Sequence, residues 1–205
     1  MKPQEIETMS FRIIDEEAGD HGFAPDAWSI VRRVIHTSAD FDWLRMIRLH
    51  PGAIAAGVAA IRNGRAVITD TNMARAGIRC RDLERFGGTV RCYMGDPKVA
   101  ETAAREGITR AKAAVDIAAP EMAGGIYVVG NAPTALLRLM ELIGSGRAQP
   151  ALVVGLPVGF VNAAESKAML LETDIPCITN VGRKGGSNVA AAVVNALILL
   201  VDRGD

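Results

Sequence analysis

From about residue 66 onward the chain repeats one rhythm: a short apolar run, a turn rich in Gly, Asn or Pro, then a pattern of helical period. The runs are Ala66–Thr69, Thr89–Met94, Ile126–Val129, Ala151–Val154 and Pro176–Thr179. Near-continuous runs of this length, rich in Val and Ile, predict parallel strands covered on both faces. The helices between them are marked by their ends. Asp96-Pro97 supplies an N-cap carboxylate and an N1 proline for a helix that continues toward Gly107, and Ile108–Ala118 carries a further helical pattern. Asn131-Ala132-Pro133 opens another that stops at Gly144, Asn162 or Ala163 opens the next, and Gly186-Ser187 opens the last. Ahead of this core the pattern predicts helices only: Pro25–Ile35, Phe41–Arg48 capped by Ser38 or Asp40, and Pro51–Arg62 between His50 and Asn63-Gly64. Ala53 to Ile61 is small and apolar on nearly every side, which predicts burial on more than one face and, in part, against a second subunit.

Alternation of strands and helices predicts a three-layer α/β/α sandwich with right-handed crossovers. Its sheet is mainly parallel, about five-stranded and Rossmann-like. The α/β core occupies 65–205, a mainly helical part occupies 1–64, and no linker divides them, so the expectation is one domain over 1–205. Lys plus Arg equals Asp plus Glu at 23 each, and the pI is about 6.8. That balance gives no support to nucleic acid or an anionic membrane as the main partner. Cys80, Cys92 and Cys177 are scattered without CxxC spacing, which argues for a reducing compartment and against disulfides or a zinc site. The polar, acidic start from Met1 to Ser10 is no secretory signal. The longest apolar stretch, Val189 to Val201, contains Asn195 and falls short of the ~20 residues a bilayer requires, so it predicts a core helix. These features predict a cytoplasmic protein.

Parallel sheets bind ligands beyond the carboxyl ends of their strands. Four turns there are polar or glycine-rich: 70–75, 130–134, 155–160 and 180–187, and they are expected to converge on one pocket. In the last, Gly182-Arg183-Lys184-Gly185-Gly186-Ser187 places glycines and two cations ahead of a helix, as an anion site does; a plain tight turn with solvated charges is the alternative. The Lys precedes the glycine pair, so this is not a nucleotide P-loop, and no GxGxxG follows any strand. Of the three histidines, His36 has the most informative setting, closing an apolar helix. Residue type alone leaves it open between a helix-end contact to the last carbonyls and a proton carrier. His21, beside Gly22, reads as solvent-facing and His50 as a helix boundary. Asp40 and Asp42 read as the start of the next helix rather than as partners of His36. There is no GxSxG elbow and no histidine pair at metal-ligand spacing.

Several strings, in order along the chain, resemble the precorrin-8X methylmutase family. They are Ser10-Phe11-Arg12-Ile13-Ile14, Val34-Ile35-His36-Thr37-Ser38-Ala39-Asp40-Phe41, His50-Pro51-Gly52-Ala53-Ile54 and Thr69-Asp70-Thr71-Asn72-Met73 in the first half. Gly130-Asn131-Ala132-Pro133-Thr134, Leu156-Pro157-Val158-Gly159-Phe160-Val161 and the 182–187 turn continue the resemblance over nearly the whole chain. It implies an isomerase of cobalamin biosynthesis. A methyl group moves between adjacent ring C carbons of precorrin-8X, a polycarboxylate tetrapyrrole, giving hydrogenobyrinic acid, and His36 serves as general acid. The implied substrate contacts are Ser10, Arg12, Thr37, Thr71, Met73, Arg75, Asn131, Thr134, Phe160, Arg183, Lys184 and Ser187, with Leu156 and Val158 against the apolar face of the macrocycle. It implies no cofactor and no metal site, a homodimer, and hand-over to neighbouring enzymes of the pathway. The alternatives are a cobalt-precorrin-8 methylmutase, a non-catalytic tetrapyrrole carrier, and a phosphate- or nucleotide-using Rossmann-like enzyme built on the 182–187 turn.

Overall fold

The computed structural model describes residues 2–203; Met1 and the last two residues of the 1–205 span lie outside them. The chain runs α1 (Pro3–Ala18), α2 (Pro25–Ser38), α3 (Trp43–Met46), β1 (Ile47–Leu49), α4 (Ala53–Arg62), β2 (Val67–Thr69), α5 (Asn72–Gly77) and α6 (Cys80–Glu84). It continues through β3 (Val90–Cys92), α7 (Pro97–Glu106), α8 (Arg110–Ala118), a 3-10 turn, β4 (Ile126–Val129), α9 (Pro133–Gly144), β5 (Leu152–Gly155), α10 (Ala163–Leu171), β6 (Cys177–Asn180) and α11 (Ser187–Arg203). The six strands form one sheet in the order β1-β6-β5-β4-β2-β3, with β2 to β6 parallel. β2 lies inside, with β3 on one side and β4 on the other. The winding reverses between β2 and β4, and that crevice is where an open sheet of this kind receives its ligand.

The five parallel strands fall on the five runs read from the sequence. Alternate residues serve the two faces, as the pleat requires. Val67, Ile126, Val128, Leu152, Val154 and Ile178 pack beneath α2, α4 and α11. Ile68, Tyr127, Val129, Val153 and Cys177 pack against α8, α9 and α10. The predicted ends of α7 hold: Asp96 accepts from the Lys98 backbone N–H at 2.9 Å, and Gly107 ends the helix at φ +63°. Val189 to Val201 is indeed a core helix, and no helix among the described residues is long and apolar enough to cross a membrane.

Two elements differ from expectation. The predicted helix Phe41–Arg48 makes a single turn and then extends as β1, antiparallel to β6, pairing Ile47 with Asn180 and Leu49 with Ile178. This strand satisfies the free edge of β6, and Val181 N–H donates to Met46 O beyond it. Three residues are too few to show the alternation that identifies a strand. The polar N-terminus is helical over Pro3–Ala18, with Lys2 N–H donating to the Glu5 carboxylate. Ile14 is its one buried residue, so the apolar signal is weak.

Gly57 sets the spacing of α4. A Cβ there would lie 2.8 Å from a Leu152 methyl and 2.9 Å from a Leu197 methyl, so the helix is pressed against β5 and α11. Gly57→Val is expected to destabilise by about 1–3 kcal/mol through overpacking. Thermal unfolding should read this as a loss of several degrees, and an unchanged midpoint would show that the contact adapts.

Candidate functional site

α2 runs one turn further than the apolar pattern suggested, so His36 lies inside its last turn, exposed to solvent. The helix ends at Ala39, whose left-handed conformation lets its N–H return to Ile35 O at 2.7 Å. Ser38, expected as a cap of the next helix, instead donates back to Val34 O. α1 crosses beneath this turn. Phe11 brings its ring to 5.0 Å from the imidazole, while the guanidiniums of Arg32 and Arg33 lie 4.6 and 5.3 Å from the same ring. Among the described residues, His36 forms no hydrogen bond or ion pair, so both ring nitrogens are available to a ligand.

His36 stands between two open clefts. One, of about 200 Å³, is lined by Arg33, His36, Thr37, Gly77 and the first turns of α11 from Asn188. The other, of about 450 Å³, lies between α1 and the end of α2 and includes Ser10 and Phe41. Asn195 holds the first cleft together. Its side chain donates to Gly77 O and accepts from Arg79 N–H, both at 2.9 Å, which ties the end of α5 to α11 and satisfies the polar interruption of the apolar stretch Val189 to Val201.

The start of α11 connects His36 to the crevice between β2 and β4. Ser187, next to Asn188, shares a 2.8 Å hydrogen bond with Thr71 just past β2. Gly130, just past β4, packs so closely that a Cβ would sit 2.7 Å from Ser187 Cα. Beneath them lies Asp70, a buried carboxylate accepting from the backbone N–H groups of Gly130, Asn131 and Ala132 at 2.9, 2.8 and 2.8 Å. Burial pushes its carboxyl pKa up, and the three N–H donors oppose that by favouring the charged form.

The other expected contacts divide. Thr37 lies in the first His36 cleft and Ser10 in the second, although the Ser10 hydroxyl already donates to Ile6 O. Thr71, Asn131 and Ser187 gather at the crevice. Phe160 is 84% exposed with the Arg183 guanidinium over its ring at 5.6 Å, and Met73 is 72% exposed on α5. Four residues lie elsewhere or are engaged. Arg12 pairs with Glu16 on another side of α1. Thr134 accepts from Thr109. Arg75 lines a separate cleft with Arg91, Tyr93 and Asp96, so the four turns share an edge but not one pocket. Lys184 donates to Asp40 at 2.5 Å and Asp42 at 2.8 Å. These bonds raise the Lys184 pKa, and the bond from Lys184 lowers that of Asp42.

Further corrections follow from packing. Leu156 is fully buried and cannot face a ligand, whereas Val158 is exposed. Asp40 and Asp42 bridge to the 182–187 turn as well as leading into α3. His21 is not solvent-facing: it stacks on Trp28 at 3.8 Å and accepts from Phe23 N–H. His50 does mark a helix start, accepting from Gly52 N–H at 3.1 Å. Reading from sequence missed Arg33, Asp70, Asn188 and Lys167 as site-shaping groups. Arg33 carried a usable signal, since a residue three positions before His36 shares its helix face.

A family model described as precorrin-8X methylmutase matches residues 5–200. The cobalt-precorrin-8 methylmutase of Priestia megaterium is 49% identical over 204 residues, covering 100% of this chain and 91% of the relative. The enzyme of the same name from Salmonella typhimurium is 50% identical over 205 residues, covering 96% and 95%. The crystal structure of precorrin-8x methyl mutase from Thermus thermophilus superimposes with a TM-score of 0.92 at 45% identity, covering 98% of this chain and 97% of that one.

Proposed function

The chain belongs to the precorrin-8X methylmutase family, a group of isomerases that transfer a methyl group within one molecule, and from that premise we propose that it converts precorrin-8X into hydrogenobyrinic acid with His36 as general acid. One observation carries the reading: an imidazole without a partner of its own opens onto a cleft beside the first turn of α11. Protonation of, or hydrogen bonding to, the conjugated macrocycle by His36 makes the system electron-poor and lowers the barrier to methyl migration. The methyl leaves one ring C carbon for its neighbour, and the proton returns to the imidazole. Nothing is oxidised, reduced or exchanged with another molecule, so the reaction as written needs no cofactor.

Thr71, Asn131, Ser187 and Arg183 offer donors to the carboxylate arms, and Met73 and Phe160 offer exposed apolar surface to the ring. Thr37 and Ser10 flank His36 on its two sides. Arg75 reaches only an outlying arm, through its separate cleft. Lys184 serves in binding only if a substrate carboxylate displaces Asp40 and Asp42. That clasp also weakens the phosphate-enzyme alternative, which needs a free lysine at this turn.

The reading takes residues 1–205 as one unit, cytoplasmic and homodimeric. α1 exposes Ile6, Met9 and Ile13 along one face, whereas α4 turns Gly57 inward against its own chain, so α1 is the better interface candidate.

Anaerobic incubation with precorrin-8X should shift the visible spectrum to that of hydrogenobyrinic acid. A parallel assay with cobalt-precorrin-8 is warranted because two relatives near half identity carry that name. Turnover of the cobalt form alone would reassign the substrate. Corrinoid binding with turnover of neither would leave a carrier.

A further inference from the structure

Lys167, on α10, is wholly enclosed. An ammonium inside a protein ordinarily has a carboxylate beside it, because an unpaired buried charge is several kcal/mol unfavourable. Here both oxygen partners are neutral. Nζ donates to Asn180 Oδ1 at 3.0 Å and to the backbone carbonyl of Lys184 at 2.6 Å. The Asn180 amide donates in turn to the carbonyls of Val181 and Lys184, at 3.0 Å each. The 181–186 turn is thus clamped from beneath through its carbonyls. Its sides are fastened to the β5–α10 loop, with Gly159 N–H donating to Arg183 O and Gly186 N–H to Leu156 O. A Cβ on Gly185 would meet Leu156 O at 2.3 Å, so the two loops are in direct backbone contact.

The charged groups on the surrounding elements are occupied elsewhere. The Lys184 side chain reaches Asp40 and Asp42, and Arg183 lies over Phe160. On α9, Arg138 and Glu141 pair with each other, and Arg138 also holds Asp116. Glu165 on α10 and the following Glu172 and Asp174 are exposed. Burial alone accounts for the lowering of the Lys167 pKa to about 8.

Resting on the methylmutase reading, we propose that Lys167 is a positioning residue: it fixes the 181–186 turn, and its missing counter-charge is supplied by a carboxylate arm of the macrocycle seated on that turn. A bound anion favours the charged lysine and raises its pKa, so the complex takes up a proton above about pH 8, and affinity falls as pH rises through that value. The unliganded fold responds with the opposite sign. An unfolded lysine keeps its proton to about pH 10.4, so between about 8 and 10.4 the unfolded state binds more protons and stability rises with pH. Weaker binding at high pH is therefore not alkaline unfolding.

The test is titration calorimetry of hydrogenobyrinic acid with the full-length protein at about pH 7 and about pH 9.5, in two buffers of different ionisation heat, for wild type and Lys167→Met. Wild type should lose about tenfold or more in affinity and show proton uptake at the higher pH. Lys167→Met should bind more weakly at neutral pH, with no proton uptake near pH 9. If that variant does not fold, uptake by the wild type, with a midpoint near 8, carries the decision. Binding by the wild type without proton linkage overturns this assignment and leaves the methylmutase reading standing. Absence of binding at either pH overturns both.

Discussion

His36→Ala is expected to lower turnover by a factor of roughly 10²–10⁴ or more, the range that a positioned general acid supplies, while corrinoid binding persists. The two effects separate because the groups that suit carboxylate recognition lie around the crevice between β2 and β4, not on the imidazole. Ser187 and Thr71 meet there through a 2.8 Å hydrogen bond, and Asn131 follows β4. Initial rates of spectral change, set beside the dissociation constant for hydrogenobyrinic acid, check both halves. His36→Asn refines the result: it keeps a polar donor but no titrating group, so partial retention of rate would favour hydrogen bonding over full protonation. Equal rates in wild type and His36→Ala would end the assigned role, whatever the fate of the family-level chemistry.

Asp70→Ala should produce the largest loss of stability among substitutions at the site. Its carboxylate is the acceptor for three successive backbone N–H groups, and Gly130, which carries the first, is buried. Removing the acceptor strands the buried Gly130 donor at about 1–3 kcal/mol and takes a charge-assisted bond from the part-buried Asn131 and Ala132 donors, so a loss of about 3 kcal/mol follows. For a chain of this size that lowers the unfolding midpoint by roughly 6–12 °C. Asp70→Asn keeps one acceptor oxygen and should fall between wild type and Ala. The β4–α9 turn holds Asn131 in place, so corrinoid affinity should fall in the same order as stability. A wild-type midpoint in the Ala variant would mean that the turn holds its shape without the carboxylate.

These two substitutions separate two kinds of contribution. In the proposed mechanism His36 acts on the reacting system, and it adds little to the fold, being exposed and free of hydrogen bonds among the described residues. Asp70 and Lys167 are buried titratable groups whose partners are backbone or amide groups, and they fix the loops after β4 and β6. Lys184, clasped by Asp40 and Asp42, joins the segment after His36 to the turn above Lys167. The segment that follows His36 and the 182–187 turn are therefore mechanically linked on one edge of the sheet.

Wherever the relevant physics is local, the amino-acid order was enough. Five apolar runs gave the parallel strands, Asp96-Pro97 and Gly107 marked helix ends, and the position of His36 at the close of an apolar helix was apparent from spacing along one element. Hydrophobic period, capping and turn chemistry all act within a turn or two of the chain, so they leave a readable mark. The remaining features depend on partners distant in the chain. Thr71 meets Ser187 across 116 positions and Lys184 meets Asp40 across 144. β1 is a strand because β6 has an edge to offer, not because Ile47–Leu49 alternates. Nothing in Ala163–Leu171 distinguishes a lysine pointing at solvent from one enclosed beneath a loop, because burial is a property of what packs above it. The same holds for Asp70, whose neighbours in sequence give no sign of the three N–H groups that converge on it from the turn after β4.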